Sequence, residues 1–208
     1  MQNRLNNVIL KEVRYINLTV LYKRFKEFLY KMKNYKELAD NDVEFQKIIE
    51  PLITNETVQQ MKNYRQHYDT SCFEHCYMAS YYCYSICKKY NLDYKSAARA
   101  AMLHDLFLYD WRKRQPDRKG LHAFTHGKTA CENACKLFDL NDKEKDIITK
   151  HMWPVTLSLP KSREAFILTF VDKYCAISES FEVYSSRLLD KKAFRYTYLA
   201  LCLLFIKI

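Results

Sequence analysis

Ala97-Ala98-Arg99-Ala100-Ala101-Met102-Leu103-His104-Asp105 is the stretch on which the reading of this chain turns. Small and aliphatic residues run without a break into an adjacent His-Asp pair. Small side chains let neighbouring helices approach closely, so the stretch reads as a helix through the middle of a bundle. Successive helical positions point about 100° apart, so His104 and Asp105 reach one point only from the edge of a helix. A buried carboxylate beside a buried imidazole is costly unless something pairs with its charge. A divalent cation would do so, because carboxylate and neutral imidazole are both natural ligands.

Composition narrows the fold around that helix. The chain has 208 residues with only 2 glycines and 4 prolines, too few turn formers for a β architecture. The expectation is all-α, with 17 Tyr and 12 Phe available for interhelical packing. Six of the 8 cysteines pair at helical i,i+4 spacing (Cys72/Cys76, Cys83/Cys87, Cys131/Cys135). That spacing is not the Cys-x2-Cys knuckle of structural zinc. Reduced thiols serving as small core residues are expected. Met1-Gln2-Asn3-Arg4-Leu5-Asn6 lacks a signal-peptide pattern, so the expected location is cytoplasmic. The formal charge of +10 suits an anionic metabolite. The basic residues are spread over the whole chain without an RNA- or DNA-binding motif, so no nucleic-acid partner is expected. The apolar run 198–206 is too short for a membrane span of about 20 residues. It reads as a terminal helix buried in the fold or in a homodimer contact.

Along the chain, residues 1–60 form an N-terminal helical segment with no histidine, marked by Val8, Val13, Ile16, Val20 and Leu21. Asp42 begins a short helix that Pro51 interrupts. Residues 61–208 form the main domain. Asn55-Glu56 leads a helix through Met61 and Tyr64. Asp69-Thr70-Ser71 caps a helix over 71–90 on which His75, Met78, Ala79, Tyr82 and Ile86 share one face. The His-Asp helix spans 94–106. Thr125 or His126 opens the next, with His126, Ala130, Ala134 and Leu137 along one face. Asn141-Asp142 caps a helix leading to His151, stopped by Met152-Trp153-Pro154. Lys161-Ser162-Arg163-Glu164 begins another, with Leu168, Asp172 and Cys175 on one side. Four inward histidines and two inward aspartates thus come from five helices, and a shared metal centre explains them together.

The order His75, His104-Asp105, His126, His151, Asp172 resembles the HD-domain superfamily of metal-dependent phosphohydrolases, in the H…HD…H…H…D subgroup. Local context is similar too: Glu74-His75, Leu103-His104-Asp105, His126-Gly127 with Ala130, and Val171-Asp172-Lys173 with Ala176. The subgroup includes HD-type diadenosine tetraphosphatases and HD-GYP phosphodiesterases, and the chain also resembles a group of other bacterial HD proteins. No GYP signature is present, so cyclic-dinucleotide cleavage is not favoured. The resemblance implies a helical bundle holding divalent ions, two in number, with Fe, Mn, Co, Zn or Ni all compatible with the donors. It implies that His75, His104, Asp105 and Asp172 bind one ion, and that Asp105 bridges to a second on His126 and His151. His104 and Asp105 would be the catalytic pair, acting on a nucleotide or small phosphorylated metabolite through a metal-bound hydroxide. His67, His122, Lys128, Lys161, Arg163 and the basic run 112–119 are candidates to hold phosphate. An HD-fold di-iron oxygenase and a non-catalytic nucleotide-sensing module are the alternatives.

Overall fold

A computed structural model describes residues 34–67, 70–113 and 120–188, the side chains of His67 and of residues 181–188 excepted. Readings that fell on residues 1–33, 114–119 and 198–206 lie outside the described residues. The described residues fold into eight α-helices and one two-stranded hairpin, and the protein is all-α. The helices are α1 (Tyr35–Asn41), α2 (Val43–Ile53), α3 (Glu56–Gln59), α4 (Cys72–Lys89), α5 (Tyr94–Leu103), α6 (His122–Leu137), α7 (Asp142–Lys150) and α8 (Arg163–Leu188). The hairpin joins β1 (Arg65–His67) to β2 (Thr70–Ser71). Residues Ala39–Ser185 make one compact unit.

The alanine stretch behaves as its composition dictates. Ala97, Ala98, Ala100, Ala101, Met102 and Leu103 are all buried, and α5 packs against α4, α2, α6 and α7. The approach to α4 is close enough for Ser80 Oγ to donate to the carbonyl of Ala98 at 2.7 Å. Arg99 leaves the core sideways and donates through Nε to Glu144 Oε1 at 2.6 Å, which ties α5 to α7. On the opposite flank Phe45 of α2 meets Tyr77, Tyr81 and Tyr84 of α4, with ring centroids 5.2–5.8 Å apart; the first two pairs are edge-to-face, which aromatic quadrupoles favour, and the third is tilted. Six described cysteines are buried and Cys135 is exposed, all unbridged.

Caps set the helix starts. Ser71 and Glu74 form a capping box on α4, and Asn141 and Glu144 form one on α7. Asp93 accepts from the Ser96 amide at the start of α5. Several boundaries differ from those the sequence suggests. Helix α5 ends at Leu103, so His104 and Asp105 sit in the turn beyond it rather than on a helix edge. Pro51 does not interrupt α2, which continues to Ile53; the proline forgoes its own ladder bond, and only the last residues of the helix lie beyond it. Helix α6 begins at His122, ahead of Thr125. The expected helix through Met61 and Tyr64 breaks into a 3-10 turn (Gln60–Asn63) followed by β1. Strand alternation there leaves Arg65 exposed and buries Gln66. No described helix is long and apolar enough to cross a membrane.

Replacing Ser71 by alanine removes the acceptor for the Glu74 amide at 3.2 Å. The expected loss is about 1 kcal/mol of stability, read from denaturant unfolding; an unchanged midpoint would mean the box contributes nothing to α4.

Candidate metal centre

Five helices deliver six side chains to one buried place. His75 comes from the second turn of α4, and His104 and Asp105 from the turn after α5. His126 comes from α6, His151 caps the C-terminus of α7, and Asp172 lies midway along α8. All six are buried, the most exposed being Asp172 at 9 % and His126 at 4 %. Asp105 Oδ1 lies 3.3 Å from His126 Nε2 and 3.6 Å from His151 Nε2. His104 Nε2 lies 3.6 Å from both Asp105 Oδ2 and Asp172 Oδ1. His75 Nε2 stands 3.1 Å from Asp172 Oδ1. Because His104 and Asp105 have left the helix, adjacent residues can both turn toward this point. The chain then bends away sharply, with Leu108 in the left-handed region at φ 53°.

Hydrogen bonds on the far side of each ring fix which nitrogen faces inward. His104 Nδ1–H donates to the Ala101 carbonyl at 2.7 Å, His126 to His122 at 2.7 Å and His151 to Ile148 at 2.8 Å. His75 Nδ1–H donates to the Glu179 carboxylate at 3.0 Å. Carbonyls and carboxylates only accept, so each Nδ1 carries hydrogen and each neutral ring presents a lone pair at Nε2. Two such lone pairs, on His126 and His151, face each other at 2.8 Å, a distance that only a proton or a cation between them makes favourable. His104 Nε2 and Asp105 Oδ1 are buried without a hydrogen-bond partner. Lone pairs and carboxylates converging in a dry pocket are a donor set that suits a divalent ion, with the outer hydrogen bonds already orienting the rings.

Burial lowers His75 and His104, but Asp172 and Glu179 around the first, and Cys76, Asp105 and Asp172 around the second, draw both well above the ordinary imidazole value, so the pocket calls for positive charge, as a proton or as a cation in its place. Burial pushes His151 down, and positive charge at His126 and His104 adds to the fall, to about 3, so the ring stays neutral. Burial raises Asp105, but the imidazoles of His104, His126 and His151 outweigh it and hold the carboxyl at about 2. Cys72 donates to the Asp105 carbonyl at 3.2 Å, and Cys76 lies 3.5 Å from His104 Nδ1. Burial raises both thiols, so they back the site as protonated core groups.

The remaining candidates divide. His122 is half-buried and stacks on His126 with centroids 4.4 Å apart. Its Nδ1 is 3.0 Å from the Tyr109 hydroxyl, and Trp111 lies parallel to it at 5.5 Å. The backbone of His67 lies in β1, beside Gln66. Lys128 is exposed and pairs with Glu132 at 3.9 Å; two positions past His126, it points about 200° away around α6. Lys161 is exposed beside the solvent face of α7, its amide donating to Asp146 at 2.9 Å. Arg163 is exposed and half a turn around α8 from Asp172. The fold brings none of these three to the cluster. Arg112, from the basic run, donates to the Arg65 and Gln66 carbonyls at 3.2 and 3.3 Å and covers Trp111, pinning its strap to the hairpin. Two residues absent from the sequence reading complete the surroundings. Gln66 donates to Asp105 Oδ2, and Glu179 holds His75. Glu179 stands seven positions after Asp172, on the same helical stripe, which is a readable signal; Gln66 carries none until the strand is known.

A model of the HD domain family matches residues 72–177, a span that contains all six converging residues. No curated protein and no solved structure matches the chain.

Gly127 sets the distance between α6 and the end of α7. A Cβ there would meet the carbonyl oxygens of Ile148 and Thr149 at 3.1 and 3.2 Å and His151 Cε1 at 3.3 Å. Gly127→Ala gains about 1 kcal/mol of helix propensity but must push the two helices apart. We expect a folded variant whose divalent-metal affinity drops about tenfold or more, measured by calorimetric titration. Unaltered affinity would show that the spacing of His126 and His151 is not critical.

Proposed function

The chain belongs to the HD domain family, and from that premise we propose that it is a metal-dependent phosphohydrolase acting on a nucleotide or small phosphorylated metabolite. HD domains bind divalent metal ions, and their superfamily is one of metal-dependent phosphohydrolases. The observation that carries the reading is the set of four inward Nε2 lone pairs around two buried carboxylates, with every Nδ1 hydrogen engaged behind them. In this reading His75, His104 and Asp172 would hold one ion, His126 and His151 a second, and Asp105 would be available to both. Divalent ions held there would supply Lewis acidity for phosphoryl oxygens and would lower the pKa of a water.

The protein's own groups do the rest. Asp105, gripped at Oδ2 by Gln66, keeps its other oxygen directed at His126 and His151. Carbonyl-held rings keep their lone pairs aimed without reorganisation, which is what preorganised electrostatics requires. Two carboxylates against two divalent charges leave the site net positive, and so attractive to phosphate. Among the candidates whose side chains are described, His122 is the one placed to touch the substrate or transfer a proton, because it stacks on His126 and is only half-buried.

Protein purified with its metal should release phosphate in a screen of nucleotides and phosphomonoesters, and exhaustive chelation should abolish the release. Activity should also fall at acid pH, as protons compete for the histidine lone pairs. Asp105→Ala should cost at least about 100-fold in kcat/KM. Hydrolysis that persists in demonstrably metal-free protein would overturn the proposal, and so would oxygen consumption by an iron form that releases no phosphate.

A further inference from the structure

Three of the four inward histidines give their Nδ1 hydrogen to a backbone carbonyl; His75 alone gives it to a carboxylate. That carboxylate, Glu179, is 7 % exposed. It lies two turns beyond Asp172 on α8, so the two acids stand on one stripe of the same helix. His75 is clamped between them, with Nε2 3.1 Å from Asp172 and Nδ1 3.0 Å from Glu179. The second oxygen of Glu179, Oε2, is buried without a hydrogen-bond donor. A buried carboxylate needs a cationic partner, and among the described residues the His75 ring is the one that answers its charge.

The other half of the centre lacks any equivalent. His126 and His151 lean on the carbonyls of His122 and Ile148, and their one carboxylate is the shared Asp105. A carboxylate behind an imidazole raises its basicity as a ligand, whereas a neutral carbonyl mainly orients it. Asp105 and Asp172 together with Glu179 supply three negative charges, two of them belonging to the His75 half alone.

We propose that Glu179 is a positioning residue that makes the His75/His104/Asp172 half of the centre the tighter metal site, so that it fills before the His126/His151 half. The inference rests on the metal-centre reading above and assigns an order to its two sites. Filling in this order keeps the third carboxylate neutralised at every stage and leaves the second ion as the exchangeable one.

The test is a calorimetric titration of metal-free protein with Mn2+, paired with metal counting after gel filtration. Wild type should show two affinity classes. His75→Ala should remove the tighter and His151→Ala the weaker. Glu179→Gln keeps an oxygen that can accept from His75 but removes the charge. It should weaken the tighter class by about 10–100-fold and leave the weaker class within about twofold. Glu179→Asp, which keeps the charge, should restore part of the loss, and it carries the test if the glutamine variant fails to fold. Glu179→Gln with both classes unchanged would overturn the inference. So would a shift confined to the class that His151→Ala removes, or an equal fall in both classes that Glu179→Asp does not relieve. Wild type that binds no Mn2+, Zn2+ or Fe2+ would overturn the metal-centre reading itself; two classes with an inert Glu179→Gln would overturn only the assignment to Glu179.

Discussion

Lone pairs of His126 and His151 meet at 2.8 Å across a space closed by the Asp105 carboxylate. Without positive charge between them such groups repel, and burial strengthens the repulsion by removing water. Placing them together costs stability that the surrounding fold must supply. This cost explains why the centre is built from chain segments held at both ends. His151 stands on a helix whose other end is closed by the Asn141–Glu144 box, and His104 follows a helix started by Asp93. Each ring is also fixed from behind, so no side-chain freedom remains to relax the contact.

The alanine helix makes that construction feasible. Five helices can approach one point only if the central element is thin, and α5 buries four alanines where larger residues would separate its neighbours. Gly127 does the same for α6 against α7. Where α4 faces α2 the spacing is wider, and Phe45 and the tyrosines of α4 fill the gap. Polar ties at the periphery, such as Arg99 with Glu144, then lock helices whose closest contacts are made by small residues.

Much of this was legible in the sequence because helical periodicity decides which side chains share a face. His75, His126 and Asp172 needed only that rule to be placed inward. The end of α5 was misjudged by a few residues: His104 and Asp105 converge from the turn that follows the helix, not from its edge. Gln66 was invisible because its inward direction depends on a three-residue strand, just past the helix expected through Tyr64, that nothing in the sequence marks. Glu179 lay on the stripe of Asp172, yet an acid on a helix is ordinarily a solvated group. The positions of the lysine and arginine candidates were hidden for a related reason, since charge alone carries no direction. Lys128 and Arg163 point away from the centre by the same geometry that points His126 and Asp172 into it.

The account stands on one arrangement, a pair of cations between the six converging side chains. Anomalous-scattering data from crystals of the Mn2+- or Zn2+-loaded protein test it most directly. Two peaks are expected. One should lie among the Nε2 atoms of His126 and His151 and an Asp105 oxygen, the other among His75, His104 and Asp172, each at ordinary ligand distances of about 2.0–2.2 Å. A loaded protein showing no peak there, or an ion held instead by Cys72 and Cys76, would contradict it.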